Sequence, residues 1–130
     1  MSFLKPQRAL SLGIAALAAF AFMFALTAQA GPSKGNAAAG KVIYTSKCVV
    51  CHKADGTGGV KLTGKPTPNW KLPSTWADPA RAKGGDDYLR DCITNGKLKE
   101  GMVAWGKSGQ LKPAQIEDLI AYIHTLAKKK

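Results

Sequence analysis

The stretch Cys48-Val49-Val50-Cys51-His52 decides the fold of this 130-residue chain, because it places two thiols and an imidazole at a Cys-x-x-Cys-His spacing. That spacing is the signature of covalent attachment of a c-type haem. Cysteines three positions apart lie on one side of a helical turn, where both thiols can add to the vinyl groups of the same macrocycle. His52 then lies under the iron, with Nε2 as predicted proximal ligand and Nδ1–H directed at a backbone carbonyl. The motif therefore predicts one haem, bound covalently through Cys48 and Cys51.

A zinc site and a redox-active dithiol are the other uses of paired cysteines. A structural zinc ion takes four protein ligands, whereas Cys92 and His124 are the only other cysteine and histidine of the chain. A thioredoxin-like dithiol follows a strand within a βαβ pattern. The residues ahead of this motif, 37 to 47, have a helical pattern instead. Haem attachment is therefore the favoured prediction.

The first thirty residues have the pattern of an export signal. A start with two basic residues precedes a largely apolar run from 9 to 26, and Ala28-Gln29-Ala30 has the small-x-small pattern of a cleavage site. We predict a cleavable signal peptide over residues 1–30, cut after Ala30, and export to the periplasm, which handles the disulfide chemistry of exported thiols. An apolar run of about 18 residues also suits an uncleaved anchor. The absence of a cysteine at the cleavage site argues against a lipid anchor.

Residues 31–130 form one predicted domain with a basic surface. The chain has 19 Lys and Arg residues, and removal of two of them with the signal leaves 17 against 8 acidic residues, a charge of +9. Nucleic acid is a poor partner, because only Arg81 and Arg90 could make bidentate phosphate contacts. The lysines favour redox partners with acidic docking surfaces, although scattered lysines are also typical of a solvated surface.

The domain has the pattern of helices joined by long loops, without strands. Asn36 is the predicted N-cap of a helix from Ala37 to about Lys47, in which Gly40 indicates close approach of another backbone. Residues 55–59 form a glycine-rich loop, and the proline-rich stretch 60–85 predicts an irregular wrap with at most one short helical turn.

Two further helices are predicted in the second half of the chain. One starts at Asp86 or Asp87 and ends at Asn95-Gly96, a pair suited to a left-handed cap. After a loop from 97 to 111, the last helix begins at Pro113. Its apolar residues fall on one face: Ile116, Leu119, Ile120, Ile123 and Leu126.

Met102 is the predicted distal ligand of the iron. Met1 and Met23 leave with the signal, so Met102 is the one methionine of the predicted domain. Its thioether is a soft ligand, and a His/Met pair raises the reduction potential relative to harder axial pairs. A methionine that fills a gap in the core is the alternative. His124 is predicted to be half-exposed at the edge of the last helix, near Glu117, and not a ligand.

The third cysteine and the tryptophans have less specific predictions. Cys92 suits a small buried apolar position, although an odd cysteine in an exported protein can also form an intermolecular bond. Trp70, Trp76 and Trp105 are expected in the core or the haem pocket, where one indole N–H can reach a haem propionate.

Over residues 36 to 126 the chain resembles class I, single-haem c-type cytochromes of the bacterial electron-transfer type. The motifs that carry the resemblance are Gly40 and Tyr44 ahead of the haem motif, the glycine-rich loop, Ile93-Thr94-Asn95-Gly96, Gly101-Met102, and Leu119-Ile120-Ala121-Tyr122-Ile123. The resemblance implies a small all-α cytochrome c fold, with three to five helices and long loops wrapped around one covalently bound haem. It also implies that the first and last helices cross, with Gly40 and Tyr44 facing Leu119 and Tyr122.

Two positions depart from the family pattern. Val103 stands where the family commonly has a proline after the ligand methionine. Gly64-Lys65-Pro66-Thr67-Pro68 stands where the family often has Gly-Pro-x-Leu. The carbonyl partner of His52 is therefore open among Pro66, Pro68 and their neighbours.

Three functions are compatible with these features. The favoured one is a monomeric periplasmic electron carrier that is not an enzyme, because ligation by His52 and Met102 leaves no open iron position. The second is a haem c subunit fixed within a multisubunit periplasmic oxidoreductase, with membrane complexes as partners. The third is a ligand-binding or peroxidase-like haem protein with Met102 off the iron, and the single loop methionine argues against it.

Overall fold

The computed structural model describes residues 34–128, which contain five α-helices and one 3₁₀ turn. The helices are α1 (Ala37–Lys47), α2 (Val49–His52), α3 (Pro73–Ala77), α4 (Pro79–Asn95) and α5 (Pro113–Lys128), and the 3₁₀ turn is Leu98–Glu100. This range contains no strand, and the prediction of an all-α domain is confirmed. None of its helices combines the length and apolar character needed to cross a membrane. The predicted signal peptide, residues 1–30, lies outside the described residues.

Helices α1 and α5 cross at close range through Gly40. The Asn36 side chain accepts hydrogen bonds from two backbone N–H groups at the start of α1, as predicted for its N-cap. A Cβ at Gly40 would lie 1.9 Å from the Asp118 carbonyl oxygen, so only glycine fits this crossing. One turn later Tyr44 packs edge-on against Tyr122, with ring centroids 5.2 Å apart. The predicted crossing is confirmed.

Replacing Gly40 by Val should destabilise the folded protein by about 3 kcal/mol, the upper end of overpacking effects. The added atoms meet backbone of α5, which cannot rotate away, and the two helices must separate. Chemical denaturation of the haem-loaded protein measures the loss. Ala39→Val is the control, because Ala39 is exposed on the same helix and should change stability by less than about 0.5 kcal/mol. Equal stability of the two variants would contradict the close crossing.

Helix α5 supplies much of the hydrophobic core. All five apolar residues predicted for its inner face are buried, and Tyr122 is buried with them. The helix begins at Pro113, as predicted. Leu89 and Ile93 of α4 are buried in the same core cluster. These two helices and α1 thus form the walls against which the loops pack.

The prediction for residues 60–85 is wrong in part. Two helices begin within this stretch, α3 at Pro73 and α4 at Pro79, where at most one short turn was expected. Each proline occupies a first helical position, where its missing N–H has no intrahelical partner to lose. Asp78 also caps α4 by accepting from two backbone N–H groups.

A kink at Gly85 explains why the sequence predicts only the second part of α4, from Asp86 or Asp87 onward. Its dihedral angles, φ 49° and ψ −129°, kink α4 just before Asp86, and the part beyond the kink is the helix that the sequence predicted. Helix α4 ends at Asn95 as expected, but Gly96 has φ 70° and ψ −179°, which is not the predicted left-handed cap. Gly96 instead lies against backbone of the Met102 loop.

Candidate haem-binding site

A cavity of about 440 Å³ lies between the helices and the loops. This volume is within the range of about 300–1,000 Å³ that is typical of cofactor pockets. The four residues predicted to bind the cofactor all line it: Cys48, Cys51, His52 and Met102. Apolar side chains of α4 and α5 line it as well: Leu89, Ile93, Leu119 and Ile123. The fold therefore brings the predicted site residues together around one largely apolar space.

The junction of α1 and α2 positions the two thiols. Cys48 lies between the helices in a right-handed helical conformation, and its carbonyl accepts from the N–H groups of Cys51 at 3.2 Å and His52 at 2.8 Å. This turn brings both cysteines and His52 to the same cavity wall. Burial raises the pKa of the Cys48 thiol to about 11, so it is protonated near neutral pH.

The His52 ring is fixed by an aromatic neighbour and by its own backbone. It stacks on Trp70, with ring centroids 5.8 Å apart and planes inclined by 17°. The Tyr44 hydroxyl donates to the carbonyls of His52 and Lys53, at 3.2 and 2.9 Å. Burial lowers the pKa of His52, which favours the neutral imidazole, the form that can bind a metal.

The predicted hydrogen bond from His52 Nδ1 to a carbonyl near Pro66 or Pro68 is wrong. Nδ1 is buried and has no hydrogen-bond partner within residues 34–128. The Pro68 carbonyl lies instead against Gly58, where an added Cβ would be 2.1 Å from its oxygen. Gly58 in turn donates its N–H to the His52 carbonyl at 3.2 Å.

Two further buried donors at the cavity lack partners among the described residues, Trp70 Nε1 and Arg81 Nε. The Arg81 guanidinium lies over the Trp70 ring at 5.9 Å and donates from Nη1 to the Thr75 carbonyl at 3.1 Å. A buried donor without an acceptor is costly, so a cofactor carboxylate at this wall would stabilise Arg81 Nε, beside the Asp78 carboxylate that lies 3.8 Å from Arg81 Nη1. The residues present therefore fit a haem: an apolar cavity, two thiols, an imidazole, a thioether and donors for propionates. In the sequence Arg81 stands out only as a possible phosphate contact, and no motif indicates its place at this wall.

Met102 lies in a closed backbone turn. Lys97 and Met102 exchange two backbone hydrogen bonds, of 3.0 and 3.1 Å, around the 3₁₀ turn. Gly101 makes this turn possible with a φ of 85°. The Met102 side chain is partly buried and packs against the core.

The remaining polar and aromatic candidates divide between the cavity and the surface. His124 does not line the cavity, since its Nε2 lies 2.6 Å from Asp86 Oδ1 and its ring stacks on Trp76. It is half-exposed as predicted; its partner is Asp86, and the neighbouring Glu117 pairs with Arg90. Cys92 is buried and lines the cavity. Trp105 also lines it, whereas Trp76 donates its indole N–H to the Trp70 carbonyl.

The structure gives no support to the other uses of paired cysteines. Residues 34–128 contain no group of three or more Cys, His, Asp and Glu side chains arranged to bind a metal. A helix, α1, precedes the motif where a thioredoxin-like dithiol has a strand.

Comparison with known proteins gives the family. Residues 35–123 match the family model described as cytochrome c oxidase, cbb3-type, subunit III. Cytochrome c-555 of Chlorobaculum thiosulfatiphilum is 34% identical over 89 residues, which are 68% of this chain and 93% of the relative. Cytochrome c6 of Rippkaea orientalis is 35% identical over 118 residues, 90% of this chain and 91% of the relative. The cbb3-type cytochrome c oxidase subunit FixP of a Bradyrhizobium strain is 32% identical over 93 residues, 69% of this chain and 30% of the relative. No solved structure matches the chain significantly.

The fold and the cavity define a haem protein of the small all-α type, and the chain belongs to the monohaem c-type cytochromes. Its cofactor is haem c, bound covalently through Cys48 and Cys51. Its function is electron transfer, and it is not an enzyme in its own right. The predictions of family, cofactor and electron transfer are confirmed.

Proposed function

We propose that the protein is an exported, periplasmic electron carrier whose haem iron is bound by His52 and Met102. The observation that carries this proposal is that both side chains line the same cavity as the two haem-binding cysteines. The proposal includes removal of residues 1–30 and a mature cytochrome domain of residues 31–130, which rest on the signal pattern of the sequence.

The bound haem supplies a centre that gains or loses one electron. His52 contributes a neutral imidazole nitrogen, and Trp70 fixes the orientation of its ring. Met102 contributes a soft thioether from a turn that is closed by its own backbone hydrogen bonds. With His52 and Met102 both bound to the haem iron, the protein would offer no site for a substrate on the metal. Its residues therefore act by holding one ligand set in both oxidation states and by excluding water from the cavity.

The surface around the cavity supports docking to an acidic redox partner. Two exposed apolar side chains, Leu62 and Val103, line the cavity, and two more, Val50 and Leu98, belong to the haem motif and to the turn that carries Met102. Val50 is 83% exposed and Leu98 is 75% exposed, whereas the apolar side chains of the core are at most 7% exposed. Lys47, Lys65 and Lys97 line the cavity itself. Exposed apolar side chains and lysines at the same cavity suit a transient complex that is steered by charge and completed by apolar contact.

The docking proposal predicts an electron-transfer rate that falls as ionic strength rises. The lysines expected to flank the haem loops are Lys53, Lys61, Lys65, Lys97, Lys99 and Lys107. Changing Lys65 and Lys99 to Glu should slow the second-order rate with an acidic partner about tenfold at low salt and leave the haem spectrum unchanged, because steering is screened over roughly 8–10 Å. Stopped-flow mixing measures this rate.

The matched control carries the same change of charge at a distance from the cavity. Lys41 and Lys112 are exposed and do not line it. Their replacement by Glu should slow the reaction much less. Rates that do not depend on salt would show that the lysines around the cavity only solvate the surface. Rates that fall equally in both double variants would show that net charge, and not a docking surface at the cavity, sets the encounter rate.

A haem subunit fixed in a larger oxidoreductase is the second candidate. The matched family model and the FixP relative favour it, since both are named for subunits of a cbb3-type oxidase. Isolation from the native host distinguishes the two. A free carrier migrates at the size of a single mature chain, whereas a fixed subunit copurifies with other polypeptides in constant proportion.

A further inference from the structure

The loop of residues 60–67 connects the haem-binding motif with the Met102 turn. At its base, Thr67 donates its hydroxyl to the Cys51 carbonyl at 2.8 Å. Val60 and Thr67 close the base, because Thr67 N–H donates to the Val60 carbonyl at 2.9 Å and Val60 N–H donates to the Thr67 hydroxyl at 3.1 Å. Four residues of this loop line the cavity: Leu62, Lys65, Pro66 and Thr67. The loop therefore starts at the wall that holds the thiols and runs along the cavity.

The tip of the same loop contacts the turn that carries Met102. The Thr63 hydroxyl donates to the Lys99 carbonyl at 2.9 Å, a bond between residues 36 positions apart. A Cβ at Gly64 would lie 2.8 Å from Glu100 Cγ and 3.0 Å from the Lys99 oxygen. A Cβ at Gly101 would lie 2.9 Å from Leu62. Glycines on both sides thus allow a contact that side chains would prevent.

The Met102 turn has two backbone hydrogen bonds of its own, and its Lys97 lies over the Tyr88 ring at 5.1 Å. Its internal bonds join Lys97 to Met102, but Val103 follows where a proline ring would restrict the backbone. The turn also lies at the surface, with Leu98 and Lys99 exposed. Short exposed turns open locally at low free-energy cost unless other segments hold them. Thr63 is the residue of the loop that makes a side-chain hydrogen bond to this turn.

We propose that residues 60–67 act as a clasp that holds the Met102 turn closed, with Thr63 as its positioning residue. The clasp keeps the thioether in place and so restricts access of small ligands to the iron. This inference rests on the proposed ligation by Met102. Residues 60–67 thus gain a structural role, whereas the sequence predicts only that they belong to an irregular, proline-rich stretch.

Thr63→Val tests the clasp, because it removes the hydroxyl with little change of shape at an exposed position. The lost hydrogen bond should raise the population of the open turn about 3- to 10-fold. Imidazole added to the ferric protein binds only when the thioether is displaced, so its apparent affinity should rise by the same factor. Hydrogen exchange at the Met102 N–H reports the same opening and should accelerate equally.

Two variants serve as controls. Thr63→Ser keeps a hydroxyl and should behave like the wild type in both measurements. Thr45→Val removes a bond of the same kind, from a hydroxyl to the Lys41 carbonyl at 2.8 Å, on a residue of α1 that does not line the cavity. It should leave imidazole affinity and Met102 exchange unchanged.

The outcomes separate the clasp from the ligand assignment. A wild-type ferric spectrum without a sulfur–iron charge-transfer band would overturn ligation by Met102 and the clasp with it. With that band present, a Thr63→Val variant that matches the wild type would overturn the clasp alone. Equal increases in Thr63→Val and Thr45→Val would also overturn it, because they would reflect general destabilisation.

Discussion

Met102→Ala should abolish the sulfur–iron charge-transfer band of the ferric protein and lower its reduction potential. The proposal makes Met102 the source of the distal thioether, and residues 31–130 contain no second methionine that could replace it. A His/Met pair raises the potential relative to harder axial pairs, and axial ligands span about 0.8 V overall, so we expect a fall on the order of 0.1 V or more. Optical spectroscopy and a redox titration measure the two effects.

The vacated position should also admit small ligands. Imidazole or cyanide should bind the Met102→Ala protein at concentrations that leave the wild type unchanged. Val103→Ala is the matched control, since Val103 is the next residue and also lines the cavity but carries no ligand atom. His124→Ala should keep the wild-type spectrum as well, because His124 pairs with Asp86 outside the cavity. Persistence of the band in Met102→Ala would rule out Met102 as the ligand.

The double variant Cys48→Ala and Cys51→Ala should retain no haem after denaturation and acid-acetone extraction. The wild type, produced together with haem-maturation machinery, should keep one haem under the same conditions, because thioether bonds survive both treatments. The variant should also lose much of its helical circular dichroism. A cavity of about 440 Å³ that no cofactor fills destabilises a domain of this size strongly.

Cys92→Ala is the control for covalent attachment. Cys92 is a buried thiol at the same cavity, so this variant tests whether any cysteine there can bond to the haem. We expect full retention of the haem. Release of haem from the wild type, or its loss in Cys92→Ala, would contradict attachment through Cys48 and Cys51.

Much of the fold was predictable because local signals and long-range packing agree. Asn36 caps α1, Pro113 starts α5, and the apolar face of α5 is buried as its spacing predicts. Gly40 within a helix indicates a close backbone contact, and its partner in the structure is Asp118. At each of these positions the residue type favours one local backbone arrangement, so the sequence predicts that arrangement well.

Residues 60–85 were harder to predict, because proline has opposite effects at different helix positions. A proline-rich stretch predicts interrupted helices, yet Pro73 and Pro79 each start a helix. Asp78 ahead of Pro79 is the sequence signal for the start of α4, since its side chain can accept hydrogen bonds from the first free N–H groups of the helix.

The structure brings the predicted site residues to one cavity, whereas the hydrogen bonds around that cavity carry no sequence signal. The haem motif and Met102 stand out in the sequence, and all four residues line one cavity. The position of Arg81 at that wall depends on the kinked α4, and the bond from Thr63 to Lys99 joins two loops. Neither contact leaves a periodic or spacing signal, because each depends on how distant segments pack.

Nuclear magnetic resonance of the reduced mature protein, with methionine methyl groups labelled, tests the central claim most directly. Met102 is the one methionine of residues 31–130, so a single methyl signal is expected and its assignment needs no mutant. If the sulfur binds the iron, the methyl group lies over the macrocycle, and the ring current should shift its signal far upfield of the ordinary methionine range. A signal within the ordinary range would show that Met102 is off the iron and would contradict the His52 and Met102 ligand pair.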